Sequence, residues 1–287
     1  MSAPHPGLAW AEGHDEGRAW LARLPRLVSE SVETWSLGLG EPFAYAFASF
    51  AAPARLPGGG DAVLKVCFPH REGEHEGDAL RAWDGNGAVR LLAHDRERSA
   101  LLLERCRPGT PLHELSADAA LDVLADLLPR LWIPFGAPFR PLAEEAAWWA
   151  GSLRESWERV GRPFERKVLD AALRALEELP PSQGEQVLLH QDLHADNVLR
   201  AEREPWLVID PKPLVGEREF SLAPVIRGPE LGHSERAVRR RLDRLTAELG
   251  LDRERARAWA LAQTIAWSFD GDYQPRHAET ARWLLGA

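Results

Sequence analysis

The sequence is poor in cysteine and lacks a long apolar run. Its two cysteines, Cys67 and Cys106, lie in apolar surroundings and outside any spacing typical of a metal site. A reduced, cytoplasmic protein is therefore expected. No apolar run approaches the roughly eighteen residues of a membrane span, and the first residues lack the basic and apolar segments of a secretory signal peptide. We expect no membrane partner.

Positive charge is also scarce relative to negative charge. The chain carries 44 Asp and Glu residues against 35 Lys and Arg residues, which gives a formal net charge of −9. This balance disfavours nucleic acid as the main partner and weakly favours a cationic ligand, although solubility alone explains an acidic surface. Of the 287 residues, 45% are hydrophobic, enough for a substantial core in one large domain or two lobes.

The most informative motif lies between residues 187 and 199. It has the form H-x-D-x-x-x-x-N, with Asp192 and Asn197 between two apolar runs, and Asp210 follows the next apolar run, 206–209. One carboxylate can orient an attacking hydroxyl, while an amide oxygen and a second carboxylate are hard donors suited to Mg²⁺. The alternative is that the first Asp and the Asn are turn residues that bond to nearby backbone.

Periodicity, capping residues and turn residues predict the order of elements. The predicted segments are a helix at 17–35, a strand at 43–50, a strand at 62–68, a helix at 73–83, strands at 89–92 and 99–104, and helices from an N-cap at Ser116 to about 132, at 141–160, 163–179, 234–249 and 252–269. Strands therefore dominate before about residue 105, and helices dominate after it.

The chain resembles the aminoglycoside phosphotransferase family of the protein-kinase-like superfamily. Within it, the chain resembles the branch of streptomycin 6-kinases and hydroxyurea phosphotransferases in particular. Four segments carry the resemblance in family order: 61–66, 83–92, 100–105 and 187–216. It implies an α+β, two-lobed protein-kinase-like fold. The β-rich N-terminal lobe would span 1–104, the hinge 105–110 and the mainly helical C-terminal lobe 111–287.

The resemblance also implies how the N-terminal lobe binds ATP. Lys65 would grip the nucleotide phosphates, although a lone lysine in a strand usually faces solvent. Glu76 would hold Lys65 in place, with Glu74 as the competing choice. Backbone groups near Glu104 to Cys106 would hold the edge of the adenine, and a simple charge at the strand end is the alternative for Glu104. GTP as the donor stays open.

In the C-terminal lobe the resemblance assigns the chemistry. Asp192 would be the catalytic residue that orients the acceptor hydroxyl and takes its proton, and Asn197 and Asp210 would hold Mg²⁺. No G-x-G-x-x-G loop occurs near 38–50, so the resemblance does not assign the residues that cover the phosphates. Asp210-Pro211-Lys212 replaces the D-F-G of protein kinases, and no A-P-E segment is present, which argues against a protein substrate.

The acceptor is expected to be a small molecule, and a streptomycin-type aminoglycoside comes first. The candidate acceptor wall is the segment 267–273, in which Asp270 and Asp272 stand among aromatic residues and suit a cationic sugar. Alternatively, these two acids only end a helix in a turn.

Other hypotheses are a kinase for hydroxyurea or another metabolite, and a nucleotide-binding regulatory protein without transfer activity. We expect a monomer or a weak homodimer.

Overall fold

The computed structural model describes residues 6–44, 46, 48–269, 271 and 273–286. The chain forms two compact units. The first unit contains residues 1–109 and 201–207, and the second contains residues 110–200 and 208–287. The predicted lobe boundaries stay a prediction, and the short segment 201–207, which the sequence analysis assigned to the C-terminal lobe, groups with the first unit.

The first unit is built on a five-stranded antiparallel sheet. Its strands in spatial order are β1 (Gly38–Leu39), β2 (Ser49–Arg55), β3 (Asp61–Cys67), β5 (Ala100–Glu104) and β4 (Leu91–Asp95). A 3₁₀ helix (Pro6–Gly13) and helix α1 (Asp15–Trp35) precede the sheet, and helix α2 (Glu76–Trp83) connects β3 to β4. Because all neighbours run antiparallel, hairpins or short connections suffice to join them.

Helix α1 covers one face of this sheet. Trp20 and Leu24 from the helix pack in one buried cluster with Leu64, Val66 and Leu102 from the strands. Successive side chains of a strand point to opposite faces, so Lys65 lies on the other face of β3. That face is the one that α2 approaches.

The strand predicted at 43–50 is displaced in the structure. Strand β2 begins only at Ser49, and Ala48 has φ of +52°, a left-handed conformation that cannot continue a strand. The large and small alternation that suggested the strand therefore precedes it. Two residues of that alternation, Tyr45 and Phe47, lie outside the described residues.

The second unit is mainly helical. Its helices are α3 (Ala117–Leu131), α4 (Leu142–Arg159), α5 (Arg166–Glu178), α6 (Ala223–Arg227), α7 (Glu235–Leu249), α8 (Arg253–Ala266) and α9 (Pro275–Leu285). Short 3₁₀ segments lie at Leu112–Glu114, Pro180–Ser182, Ala195–Asn197, Arg218–Leu222, Pro229–Leu231 and Trp267–Phe269. The predicted N-cap is confirmed, since the Ser116 hydroxyl accepts from the backbone N–H of Ala119. Helices α6 and α9 were not predicted.

Short strands position the loops of the second unit. Strand β10 (Leu214–Glu217) lies between β6 (Arg140–Pro141) and β7 (Gln186–Leu189). The chain between β7 and β10 contains β8 (Val198–Arg200) and β9 (Trp206–Val208).

Strands β7 and β10 are antiparallel, with Leu214 opposite Leu189. The segment that follows β7 and the segment that precedes β10 therefore emerge at the same end of the pair. The backbone N–H of Lys212 donates to the carbonyl of His190 at 3.0 Å and continues the contact beyond the strands.

The predicted α+β class is confirmed, with a sheet-rich part followed by a helical part. Among the described residues, no helix is long and apolar enough to cross a membrane.

Candidate active site

A buried ion pair joins β3 to the first residue of α2. The Lys65 ammonium donates hydrogen bonds to both carboxylate oxygens of Glu76, each at 2.7 Å, and only 8% of Lys65 and 4% of Glu76 is exposed. The acid that the structure places on Lys65 is thus Glu76, the one favoured over Glu74. Withdrawing both charges from water opposes folding, so the pair is better explained as a preorganised binding group than as a source of stability. Its role toward nucleotide stays a prediction.

The end of β5 is fixed by a side chain that the sequence analysis missed. Arg203 donates to the two carboxylate oxygens of Glu104, at 2.8 and 3.0 Å. Its guanidinium also donates to the backbone carbonyls of Gly85, at 2.8 Å, and Ala88, at 2.9 Å. The Glu104 carboxylate accepts in addition from the backbone N–H of Arg90, at 3.0 Å. The Glu104 side chain takes part in this network, and the adenine contact predicted for backbone groups near Glu104 to Cys106 stays a prediction.

The thiol of Cys106 has no reactive character. Burial raises its pKa to about 12, and the nearby Glu104 carboxylate adds to the effect. A thiol that stays protonated at neutral pH is a poor nucleophile and a poor metal ligand. The predicted role of Cys106 belongs to its backbone, which the state of the thiol does not affect, and that role stays a prediction.

His190 joins the segment after β7 to the segment before β10. Its Nε2 lies 2.9 Å from the carbonyl oxygen of Ile209, and its Nδ1 lies 3.3 Å from the backbone nitrogen of Asp192. A carbonyl only accepts and an N–H only donates, so these contacts require the neutral tautomer with its hydrogen on Nε2. Burial lowers the pKa of His190 to about 4, which keeps the ring neutral at physiological pH. The ring therefore supports the loop and does not exchange protons there.

Asp192 lies between two cations. The Lys212 ammonium is 2.9 Å from Oδ2, and Nη2 of Arg227 is 3.7 Å from Oδ1. Burial alone would raise the pKa of Asp192, but the charges of Lys212, His194 and Arg227 outweigh burial and lower it below the usual value. The carboxylate is thus ionised at neutral pH and can accept a hydrogen bond from a hydroxyl.

Asn197 is held through its amide nitrogen. The nitrogen donates to the backbone carbonyl of Asp192 at 2.8 Å and lies 3.2 Å from Nε2 of His194. The other ring nitrogen of His194 is 3.4 Å from the Glu230 carboxylate, which also accepts from the backbone N–H of Ala195 at 3.1 Å. Because the nitrogen is fixed on this side, Oδ1 lies on the other side of the amide, where the predicted contact to a metal ion requires it.

A backbone hydrogen bond brings Asp210 close to Asn197. The N–H of Ile209 donates to the carbonyl of Asn197 at 2.9 Å, so the Asp210 side chain starts one residue from this contact. Asp210 has φ of +57°, a conformation that residues other than glycine rarely adopt. Such strain is concentrated at functional sites and supports a functional hypothesis for Asp210.

The donor set fits a Mg²⁺ ion that is bound together with phosphates. Asn197 offers a neutral amide oxygen and Asp210 an anionic carboxylate, and Mg²⁺ commonly takes its other oxygen ligands from water and nucleotide phosphates. Across the described part of the chain, no group of three or more His, Cys, Asp and Glu side chains could hold a metal by itself. The residues present therefore suit an ion that arrives with the nucleotide, and their metal role stays a prediction.

The predicted acceptor wall, 267–273, is described only in part. Asp270 and Asp272 lie outside the described residues, so their acceptor role stays a prediction. Gly271 between them has φ of +72°. The helix predicted over 252–269 ends at Ala266 and continues as a 3₁₀ turn.

The aromatic rings of this segment contact other parts of the protein. Lys212 and Arg227 lie over the ring of Trp267, with their charged groups 4.9 and 4.3 Å from its centre. Phe269 and Tyr273 pack against each other with ring centres 5.8 Å apart. The ring of Trp267 thus makes cation–π contacts with Lys212 and Arg227. The sequence analysis did not predict these contacts.

The cations around the candidate base were missed from the sequence. Lys212 stands two residues after Asp210, and this short spacing is the one sequence feature that could have indicated a cation near Asp192. Arg227 belongs to α6, which no pattern predicted. Gln263 of α8 accepts from Arg227 at 3.3 Å and donates to the carbonyl of Gln191 at 3.0 Å, so one side chain supports both the buried guanidinium and the loop that contains Asp192.

Comparisons with known proteins match most of the chain. A family model described as aminoglycoside/hydroxyurea antibiotic resistance kinase matches residues 35–269. Streptomycin 6-kinase of Streptomyces griseus is 42% identical over 260 residues, which are 88% of this chain and 84% of that protein. Hydroxyurea phosphotransferase of Kitasatospora aureofaciens is 42% identical over 289 residues, with 96% of this chain and 82% of that protein covered.

A solved structure shows the same fold at low sequence identity. A thermostable mutant of the aminoglycoside phosphotransferase APH(4)-Ia, in ternary complex with ADP and hygromycin B, matches with a TM-score of 0.61 at 15% identity. The match covers 90% of this chain and 95% of that one. At this identity the similarity establishes the fold alone.

Proposed function

This chain belongs to the aminoglycoside/hydroxyurea antibiotic resistance kinase family, and we propose that it transfers a phosphoryl group from ATP to a hydroxyl of a streptomycin-type aminoglycoside. The membership confirms the resemblance found in the sequence and makes the chain a small-molecule kinase. The observation that carries the proposal is the buried, ionised carboxylate of Asp192, whose loop also presents the Asn197 oxygen and contacts the segment of Asp210.

On the donor side, each predicted residue would have its own task. Lys65, oriented by Glu76, would neutralise the nucleotide phosphates. The oxygens of Asn197 and Asp210 would hold Mg²⁺. That ion would supply charge neutralisation at the phosphates during transfer.

On the acceptor side, Asp192 orients the reacting hydroxyl. Its ionised oxygen accepts the hydroxyl hydrogen, which aims the oxygen lone pair at the γ-phosphorus, and it takes the proton as the new bond forms. Its lowered pKa makes it a weak base. This suits a loose transition state, in which the hydroxyl loses its proton late and positioning contributes more than basicity.

Two observations favour a streptomycin-type acceptor. Streptomycin 6-kinases are two of the relatives at 40% identity or more, and the net charge of −9 weakly favours a cationic molecule over a neutral one. Hydroxyurea is the second candidate, because the hydroxyurea phosphotransferase is equally similar and its match covers more of the chain.

An acceptor panel tests the proposal. The purified chain would be incubated with Mg²⁺, either ATP or GTP, and one acceptor: streptomycin, hydroxyurea or a neutral sugar. Mass spectrometry would then measure whether the mass of the acceptor has increased by one phosphoryl group. We expect streptomycin to gain one phosphoryl group with ATP as donor. Product from hydroxyurea alone would move the assignment to the second candidate. Nucleotide binding without any product would support the regulatory alternative.

A further inference from the structure

Glu230 lies outside the predicted motif but contacts the loop that contains it. One of its carboxylate oxygens accepts from the backbone N–H of Ala195 at 3.1 Å and lies 3.4 Å from Nδ1 of His194. Only 13% of the Glu230 side chain is exposed. Withdrawing a carboxylate from water is costly unless polar partners replace the water. Both partners belong to the segment between Asp192 and Asn197, so Glu230 holds that segment from outside it.

The ring of His194 connects Glu230 to Asn197. Its Nε2 lies 3.2 Å from Nδ2 of Asn197, and an amide nitrogen only donates, so Nε2 accepts and the ring hydrogen is on Nδ1. Nδ1 is nearer to Glu230, at 3.4 Å, than to the half-exposed Asp196, at 3.9 Å. A carboxylate beside Nδ1 favours this tautomer. With the hydrogen on Nε2 instead, the ring would favour the amide oxygen in place of the nitrogen.

The segment that carries Glu230 is itself held in place. The buried guanidinium of Arg241 donates to the carbonyl of Ile226, at 2.8 Å, on one side of Glu230. On the other side it donates to the carbonyls of Leu231, at 3.1 Å, and Gly232, at 2.8 Å. The planar fork of a guanidinium fixes its partners in one geometry. A residue that positions another group needs such support.

Gly228 leaves the space that the Glu230 carboxylate occupies. A Cβ on Gly228 would lie 2.5 Å from Oε1 of Glu230 and 2.9 Å from Oε2, closer than these atoms can approach. The φ of Gly228 is −53°, which residues with side chains also adopt, so alanine would fit the backbone. The added methyl group would displace the carboxylate without changing its charge.

We propose that Glu230 is a positioning residue, which acts through His194 and Ala195 to hold the amide of Asn197 in the orientation that offers Oδ1 to Mg²⁺. This inference rests on the proposed function, in which Asn197 is a ligand of that ion. The Ala195 contact fixes the start of the 3₁₀ turn Ala195–Asn197, and the His194 contact fixes the amide at its end. Groups that orient a metal ligand without touching the metal commonly contribute about 10–100-fold to metal affinity.

Titration of Mg²⁺ against ADP binding tests the inference without any acceptor. Calorimetry would measure the affinity for ADP at a series of Mg²⁺ concentrations and in EDTA. In Glu230→Ala and in Gly228→Ala, we expect that about tenfold more Mg²⁺ is needed for half-maximal tightening of ADP binding. The affinity for ADP in EDTA should equal that of the unmodified chain, whereas a merely structural residue would weaken ADP binding in both conditions.

The chain provides matched controls for both variants. Glu235 is exposed on α7, and a Cβ on the exposed Gly151 of α4 would meet no atom within 4 Å. Glu235→Ala removes the same charge, and Gly151→Ala adds the same methyl group. Both controls should follow the Mg²⁺ titration of the unmodified chain.

A double variant shows whether Glu230 acts through Asn197. Asn197→Ala combined with Glu230→Ala should need no more Mg²⁺ than Asn197→Ala alone, because the oxygen that Glu230 orients is already absent. Effects that multiply in the double variant would overturn the inference.

Three other results would also overturn the inference. These are a Glu230→Ala or Gly228→Ala titration equal to that of the controls, an equal loss of ADP affinity with and without Mg²⁺, and ADP binding by the unmodified chain that does not depend on Mg²⁺. Failure of every acceptor in the panel would instead reject the proposed function, and the Mg²⁺ titration would still decide the role of Glu230.

Discussion

At the scale of single residues, the candidate site is defined by charges that are buried together. The loop sequence predicts Asp192 and Asn197 because both residue types occur at the required spacing in one segment. The sequence does not predict that Arg227 lies near Asp192, because that contact depends on how α6 packs in the folded unit. The ionisation of Asp192 is therefore a tertiary property, and the neutrality of His190 is another.

Because His190 is buried in its neutral form, we expect the free energy of unfolding to fall at acidic pH. The pKa of His190 is about 4 in the folded chain against an ordinary value of 6.5, so between these values only the unfolded chain binds the proton. Stability should therefore be complete above about pH 6.5 and fall by about 3 kcal/mol as the pH drops toward 4. Urea unfolding at a series of pH values measures this. Replacement of His190 by Gln should make the curve flatter, and an unchanged slope in that variant would contradict the assignment.

If Asp210 is a ligand of Mg²⁺, its replacement should change how ATP binding depends on the Mg²⁺ concentration. Asp210→Asn keeps the shape of the side chain but removes one anionic oxygen ligand, so more Mg²⁺ should be needed for half-maximal ATP binding. Asn197→Ala should act in the same direction but less strongly, because it removes a neutral ligand. Titration of Mg²⁺ against nucleotide binding gives both values. If both variants follow the original titration curve, neither residue is a ligand.

At the scale of elements, one arginine connects the end of β5 with the turn after α2. Arg203 comes from the segment 201–207 and bonds to Glu104, Gly85 and Ala88 within the first unit. Arg203→Ala should lower the free energy of unfolding by about 1–3 kcal/mol, since a charged partner of Glu104 and two donors to carbonyls are lost. Thermal or urea unfolding measures the loss.

A surface arginine of the same unit serves as the control for Arg203. Arg23 is exposed on α1, and Arg23→Ala should change stability by less than about 0.5 kcal/mol. Equal, small effects in the two variants would show that the Arg203 network does not stabilise the unit.

Helices that have a capping residue or a clear apolar periodicity in the sequence were predicted well, and elements without such features were missed or misplaced. Helix α3 begins after Ser116, the cap that the sequence analysis named, and α7 begins one residue after the start predicted for it. Helix α6 has five residues, too few for a helical period to show, and it is buried against α7 and α8. The strand predicted at 43–50 was misplaced, because the left-handed conformation of Ala48 is set by its surroundings and not by its type.

At the scale of the whole molecule, each unit contributes its own part of the predicted chemistry. The first unit contains the Lys65–Glu76 pair, and the second contains Asp192, Asn197 and Asp210. Membership of the antibiotic resistance kinase family was predictable from motif order, since those motifs carry the chemistry itself. The acceptor was not predictable to the same degree, because relatives with different acceptors are equally similar.

Phosphorylation of streptomycin by the original chain and by Asp192→Asn tests the central claim most directly. The variant keeps the size of the side chain and removes the charge that orients the hydroxyl. With ATP, Mg²⁺ and streptomycin, we predict phosphorylated streptomycin from the original chain and a kcat at least about 100-fold lower in the variant, with ATP binding retained. Formation of product at the same rate by both proteins would contradict the account.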